Sequence, residues 1–151
     1  MYRILLDTTF ILPTFGISVN FATNSEIKYV LQKHINAGNK LYISEISLLE
    51  AYLKTISIAR KRKLDSLFKK AFKAFFTIKN SQLLRKINYA SYNIIKNTTN
   101  LLKMHKDPFD AIIMSTAISE RMPLVTEDSD IINILPHELV MSWSSFKEIV
   151  K

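Results

Sequence analysis

The sequence predicts an α/β fold, and three observations carry that expectation. Short apolar strands alternate with amphipathic helices along the chain, several acids stand where strands end or helices begin, and no linker or internal repeat divides the whole. At 151 residues and 48% apolar content, residues 1–151 are expected to form a single domain with a substantial core. There is no cysteine, which excludes a disulfide framework and a thiolate zinc site. Asp7 interrupts the apolar N-terminus, and no stretch approaches the roughly 18 uninterrupted apolar residues of a membrane span. The expectation is a soluble, cytoplasmic protein with no membrane partner.

Residues 2–6 read as a buried strand ending at Asp7, with Thr8 and Thr9 behind it. Pro13 and Gly16 mark an irregular stretch before a helix over 25–37, whose inner face carries Ile27, Val30, Leu31, His34 and Ile35 and which Gly38 closes. A second strand covers 40–43. Ser44 caps the next helix, over 45 to about 60, with an expected inner stripe of Ile46, Leu49, Leu53 and Ile56. Leu64, Leu67, Phe68, Ala71, Phe72 and Phe75 then follow helical spacing, and their aromatic rings are assigned to the core. Leu83, Leu84, Ile87, Ala90, Ile94 and Ile95 are read as another helix. A helix after Asp107, a strand over 123–126, a last strand over 138–141 and a short helix from Ser144 complete the chain.

Acids concentrate between His105 and Asp130. Asp107 and Asp110 flank Pro108 and Phe109 ahead of an apolar helix, while Glu127, Asp128 and Asp130 follow a strand. Strand ends in an α/β sheet open into one crevice, and like charges gathered there repel unless a cation sits among them. A plainer account also fits: Asp107 as an N-cap, with Asp110 completing a capping box. Both accounts can hold for Asp107. Glu50 falls among the apolar positions of its helix, where a carboxylate is costly unless paired or bound to a metal. Glu45, in the first turn, simply suits the helix dipole.

Charge is segregated along the chain. From Lys54 to Lys106 there are fourteen Lys or Arg and one acid, Asp65, a net of +13, whereas the remainder sums to −5. Basic side chains that hold a phosphate backbone and carboxylates that hold a metal are what a phosphodiester enzyme requires; a solvated Lys-rich helix face is the alternative. Arg60, Lys61, Arg62, Lys63, Lys69, Lys70 and Lys73 form a basic surface suited to tracking a phosphate backbone, with nucleic acid as the expected partner. His34, His137 and Trp143 are read as structural, and His105 as a possible substrate contact near Asp107.

Carboxylates without cysteine or clustered histidine suit hard cations such as Mg²⁺ or Mn²⁺, which lower the pKa of a bound water and neutralise a leaving oxygen. With these pieces assembled, the chain resembles the PIN-domain family of metal-dependent ribonucleases, which includes the VapC-type toxins. The resemblance rests on ILLDTTF, YISEISLLEAYLK, DPFDAIIMSTA and PLVTEDSDI, in that order. It implies a three-layer α/β/α fold with a parallel sheet of about five strands. It also implies a catalytic metal set of Asp7, Glu50, Asp110 and Asp128, with Thr126 at a hydroxyl position and Thr9, Asp107 and Asp130 in support. Thr9 stands where the family usually has Asn or Ser. An RNA substrate, an antitoxin partner and a homodimer are further implications. A phosphatase reading of LLDTTF fails because that chemistry wants an acid where Thr9 stands, and a receiver domain lacks its mid-chain strand-end Asp, since Ser44 occupies that place. Within the nuclease class, the toxin of a toxin–antitoxin pair and an RNA-processing nuclease both stay open. The rivals from other classes are a catalytically silent RNA-binding or assembly module with the same fold and a purely protein-binding role.

Overall fold

A computed structural model describes residues 1–150. Five strands form one sheet: β1 (Arg3–Leu6), β2 (Lys40–Ser44), β3 (Leu84–Ile87), β4 (Leu124–Val125) and β5 (Val140–Met141), in the order β3-β2-β1-β4-β5. Every pairing is parallel. Parallel neighbours need crossovers, and seven helices supply or flank them: α1 (Asn24–Asn36), α2 (Glu45–Arg62), α3 (Asp65–Asn80), α4 (Tyr92–Leu101), α5 (Pro108–Glu120), α6 (Ser129–Ile134) and α7 (Trp143–Glu148).

Side chains alternate across the central strand. Ile4 and Leu6 join a core with Leu41, Ile43, Val125, Phe15 and Phe146, while Leu5 faces the other way with Leu124, Ile113, Met114 and Ala117. The result is the expected α/β/α sandwich. His34 is fully buried, stacks on Phe146 at 3.7 Å between ring centroids and bonds its carbonyl, so it is a core residue. Trp143 packs among Phe10, Phe21 and Phe146, and exposed His137 lies in a 3-10 turn.

Three sequence expectations fail, each for a packing reason. Residues 84–87 are a strand: Leu84 and Ile87 fit a helical stripe, but Leu84 to Ile87 pair with β2 from Leu41 to Ser44, and α4 starts only at Tyr92 under a Ser91 cap. On α2 the expected stripe is rotated, because Leu49 and Leu53 are exposed while Leu48, Ala51, Thr55 and Ala59 are buried. On α3 the buried residues are Ala71, Ala74 and Ile78, and Phe68, Phe72 and Phe76 lie open. Small residues let the two helix backbones approach closely, and the large side chains then flank the seam. Arg60, Lys61 and Arg62 form the last turn of α2, with Lys63 as a left-handed cap at φ 52°.

Candidate functional site

The sheet order reverses around β1: the chain goes from β1 out to β2 and β3, then returns to β4 on the other side of β1. A parallel sheet opens a crevice at such a point, beyond the C-terminal strand ends. Asp7 follows β1 there, and Thr126 follows β4. Asp7 N–H donates to the Val125 carbonyl and Thr126 N–H to that of Met141, each at 3.1 Å, so the sheet ladder itself delivers these side chains.

Asp7 is buried and fully engaged. Its Oδ1 accepts from Thr8 N–H at 2.7 Å and its Oδ2 from the Thr126 hydroxyl at 2.9 Å, with the Thr9 hydroxyl at 3.5 Å. Burial raises its pKa from 3.8 to about 6, against the lowering effect of the Thr126 and Thr8 bonds, and Glu50 and Asp110 add repulsion. The Thr126–Asp7 bond ties the ends of β4 and β1 together, and the Thr126 hydroxyl also accepts from Asp128 N–H at 3.1 Å.

Glu50 enters from the second turn of α2, which Ser44 caps. It is only 5% exposed. One of its oxygens accepts from the Thr8 hydroxyl and the other lies 2.5 Å from Lys54 Nζ, one turn further along the helix. Burial pulls down the pKa of the Lys54 ammonium, but the bond to Glu50 and the charges of Glu50, Asp7 and Asp110 outweigh it and the net shift is upward.

Asp107 caps α5, accepting from Phe109 N–H at 2.8 Å and Asp110 N–H at 3.4 Å, with Pro108 at the first helical position. That cap sets Asp110 in the first turn, half-buried, with Oδ2 2.9 Å from His105 Nε2. Burial raises the Asp110 pKa, the His105 bond opposes the shift, and Asp107, Glu50 and Asp128 add to it. Asp128 is exposed and caps α6 through Asp130 N–H at 2.8 Å; Asp130 lies beyond it in the first turn, exposed. Glu127 is exposed and accepts from Trp143 N–H at 2.5 Å, which anchors α7.

Asp7, Glu50, Asp110, Glu127 and Asp128, from four separate segments, line one pocket with Thr8, Thr9 and Lys54, and a loop wall of Ser18, Val19, Asn20 and Phe21 closes it. Sequence reasoning did not single out Thr8, Lys54 or the loop as site residues. The first two had a signal, adjacency to Asp7 and the i+4 step from Glu50, while the loop had none. The seven expected RNA-contacting residues, from Arg60 to Lys73, are exposed on the end of α2 and on α3 and do not line this pocket.

The family model of the PIN domain matches residues 4–134. The chain belongs to the PIN-domain family. Members of this family are nucleases, and the fold agrees with solved structures. A toxin–antitoxin complex from Klebsiella pneumoniae matches with a TM-score of 0.57 at 23% identity, covering 91% of this chain and 95% of that one. VapBC2 from Rickettsia felis, bound to a promoter DNA fragment, gives 0.63 at 19% over 93% and 98%, and VapBC-1 from nontypeable Haemophilus influenzae 0.62 at 15% over 94% and 98%. No curated protein matches the sequence.

The donor set of this PIN domain fits a hard divalent cation: it is all oxygen, partly desolvated and repulsive without a counter-charge. Among the described residues no three acidic or imidazole side chains stand close enough to form a finished metal cage. Glu50 and Asp110 are each held by a nitrogen partner instead, Lys54 and His105.

Proposed function

We propose that this chain is a Mg²⁺- or Mn²⁺-dependent endoribonuclease, the toxin of a toxin–antitoxin pair. The observation that carries this reading is the convergence of Asp7, Glu50, Asp110 and Asp128 on one pocket at the switch point of the sheet, where Asp7 is buried and its carboxyl is held well above its usual range. A divalent cation held by those four acids would supply a water of lowered pKa and neutralise charge on the leaving oxygen. The protein's own contribution is orientation. Thr126 and Thr8 fix the two oxygens of Asp7, Thr8 also fixes Glu50, and the Asp107 cap sets Asp110 on a rigid first turn.

Arg60 to Lys63, Lys69, Lys70 and Lys73 would hold phosphates on either side of the cut, as exposed cations do on a polyanion. The test is cleavage of a panel of RNAs with Mg²⁺, with Mn²⁺ and with chelator. Cleavage that needs metal and is lost in Asp7→Asn and Asp110→Asn supports the reading, and metal-independent cleavage or none with any RNA refutes it.

A second surface supports an antitoxin as the partner. Leu49, Tyr52, Phe72, Phe75 and Phe76 line an apolar groove between α2 and α3, beside Lys69, Lys73 and the basic end of α2. A second copy would bring the same cations face to face, so a homodimer would use another face. An acidic amphipathic segment of an antitoxin complements the groove in both apolar character and charge.

A further inference from the structure

Five carboxylates line the acid pocket, and Lys54 is the one basic side chain among its lining residues. A phosphodiester is itself an anion, so entry into this pocket is opposed unless cations meet it. The other candidate RNA-contacting cations lie on the end of α2 and on α3, outside the pocket wall. Lys54 therefore occupies a position that no other basic side chain shares.

The two partners of Glu50 differ in freedom. Thr8 is buried and fixed by the 3-10 turn Thr8–Phe10, whose first N–H is tied to Asp7. The Lys54 side chain is 52% exposed and carries its ammonium on a four-carbon stem. It can leave Glu50 without disturbing the fold; Thr8 cannot. We propose that Lys54 is a substrate-binding residue, whose ammonium passes from Glu50 Oε1 to a non-bridging oxygen of the scissile phosphate and leaves Glu50 Oε1 free as a ligand oxygen. This rests on the nuclease reading. The basic side chains then have two separate roles, since those on α3 and the end of α2 hold flanking phosphates while Lys54 holds the one that is cut.

The experiment compares wild type, Lys54→Met and Lys54→Arg in kcat and KM on a cleaved RNA, and in Mn²⁺ affinity by calorimetry. Lys54→Met is expected to lower kcat/KM by about 10- to 100-fold, the loss of one charged hydrogen bond to phosphate. Mn²⁺ affinity should be unchanged or tighter, because a competing cation has gone, and Lys54→Arg should recover much of the rate. Thermal unfolding of each variant confirms that it is folded. If Lys54→Met weakens Mn²⁺ binding in parallel with cleavage, the lysine merely props Glu50 and the proposal is overturned; unchanged cleavage, or an arginine variant as impaired as the methionine one, overturns it too. A wild type that neither binds Mn²⁺ nor cuts RNA refutes the nuclease reading itself, a result distinct from any of these.

Discussion

Toward the pocket, Glu50 of α2 is 5% exposed with both oxygens bound, while toward the groove Leu49 is 40% exposed and, across it, Phe72 is 61% exposed. Folding alone would favour the reverse, since a buried carboxylate is penalised and an exposed phenylalanine forgoes apolar burial. The penalty on the pocket side is visible in Asp7, whose pKa burial pushes to about 6. On the groove side it is visible as apolar side chains flanking a seam of Ala51, Ala59, Ala71 and Ala74. Two regions a few residues apart on one helix thus depart from a stability optimum in opposite ways. The pocket concentrates charge that a cation would satisfy, and the groove presents apolar surface that a partner would cover.

The largest effect belongs to the pocket. Asp7→Asn is expected to abolish cleavage and, at the same time, to stabilise the metal-free chain at pH 7. A carboxyl whose pKa is raised from 3.8 to about 6 on folding favours the folded state while protonated, and that contribution is lost as pH rises through 6. Metal-free wild type should therefore lose stability between about pH 4 and pH 6, by up to ~3 kcal/mol from this residue. The Asn variant should lack that part of the slope. Thermal unfolding against pH in chelator measures both, and an Asn variant that is less stable than wild type at pH 7 would show that Asp7 is structurally required rather than held against its preference.

The groove should respond in the opposite sense. Leu49→Ser combined with Phe72→Ser is expected to leave cleavage intact and to change stability by about 0.5 kcal/mol or less per site, as exposed positions do. The same pair should weaken binding of an antitoxin partner by about 100-fold, the loss of two apolar anchors. Co-purification and calorimetry of the pair check this. Retained affinity would place the partner elsewhere and leave the exposed rings unexplained.

These two regions also differ in how far the sequence reveals them. Asp7, Asp110 and Asp128 are legible because strand ends and helix starts fix where a residue lies, and the structure brings them to one pocket with Glu50. Glu50 is read into a stripe that is only half right: Ile46 is buried with it, but Leu49 and Leu53 of the same stripe are exposed, and Leu48, Ala51 and Thr55 are buried instead. The α2–α3 face is misread because hydrophobic periodicity ranks large side chains as buried, whereas close packing of two helices selects alanines and leaves the phenylalanines outside. Residues 84–87 are misread because a strand beside β2 and one turn of helix share the spacing of Leu84 and Ile87. Nothing in the loop of Ser18 to Phe21 signals that it walls the pocket, since irregular backbone has no period to read.

A smaller effect separates the flanking cations from the pocket. Lys69→Gln with Lys73→Gln should weaken RNA binding for all sequences alike and reduce the log–log salt slope by about 1.4, at roughly 0.7 per phosphate contact on a single strand. Cleavage at saturating RNA should hardly change. Fluorescence anisotropy across a salt series distinguishes this from the solvated-face account, under which the slope stays as it is in wild type.

The smallest effect marks the boundary of the pocket. Asp107 and Asp110 look equivalent in sequence, but Asp107 is exposed and accepts two backbone N–H groups, whereas Asp110 is half-buried and lines the pocket. Asp107→Ala should therefore lower stability by about 1 kcal/mol, the usual effect of a lost N-cap. Asp107→Asn should restore that stability, because an amide oxygen caps as well as a carboxylate, and Mn²⁺ affinity should be the same in both variants as in wild type. Asp110→Asn should behave in the reverse manner, with stability kept and Mn²⁺ affinity reduced. Were Asp107→Asn to weaken Mn²⁺ binding while keeping its cap, the charge of Asp107 would belong to the pocket, and the acid cluster would extend one residue further toward the solvent than its geometry indicates.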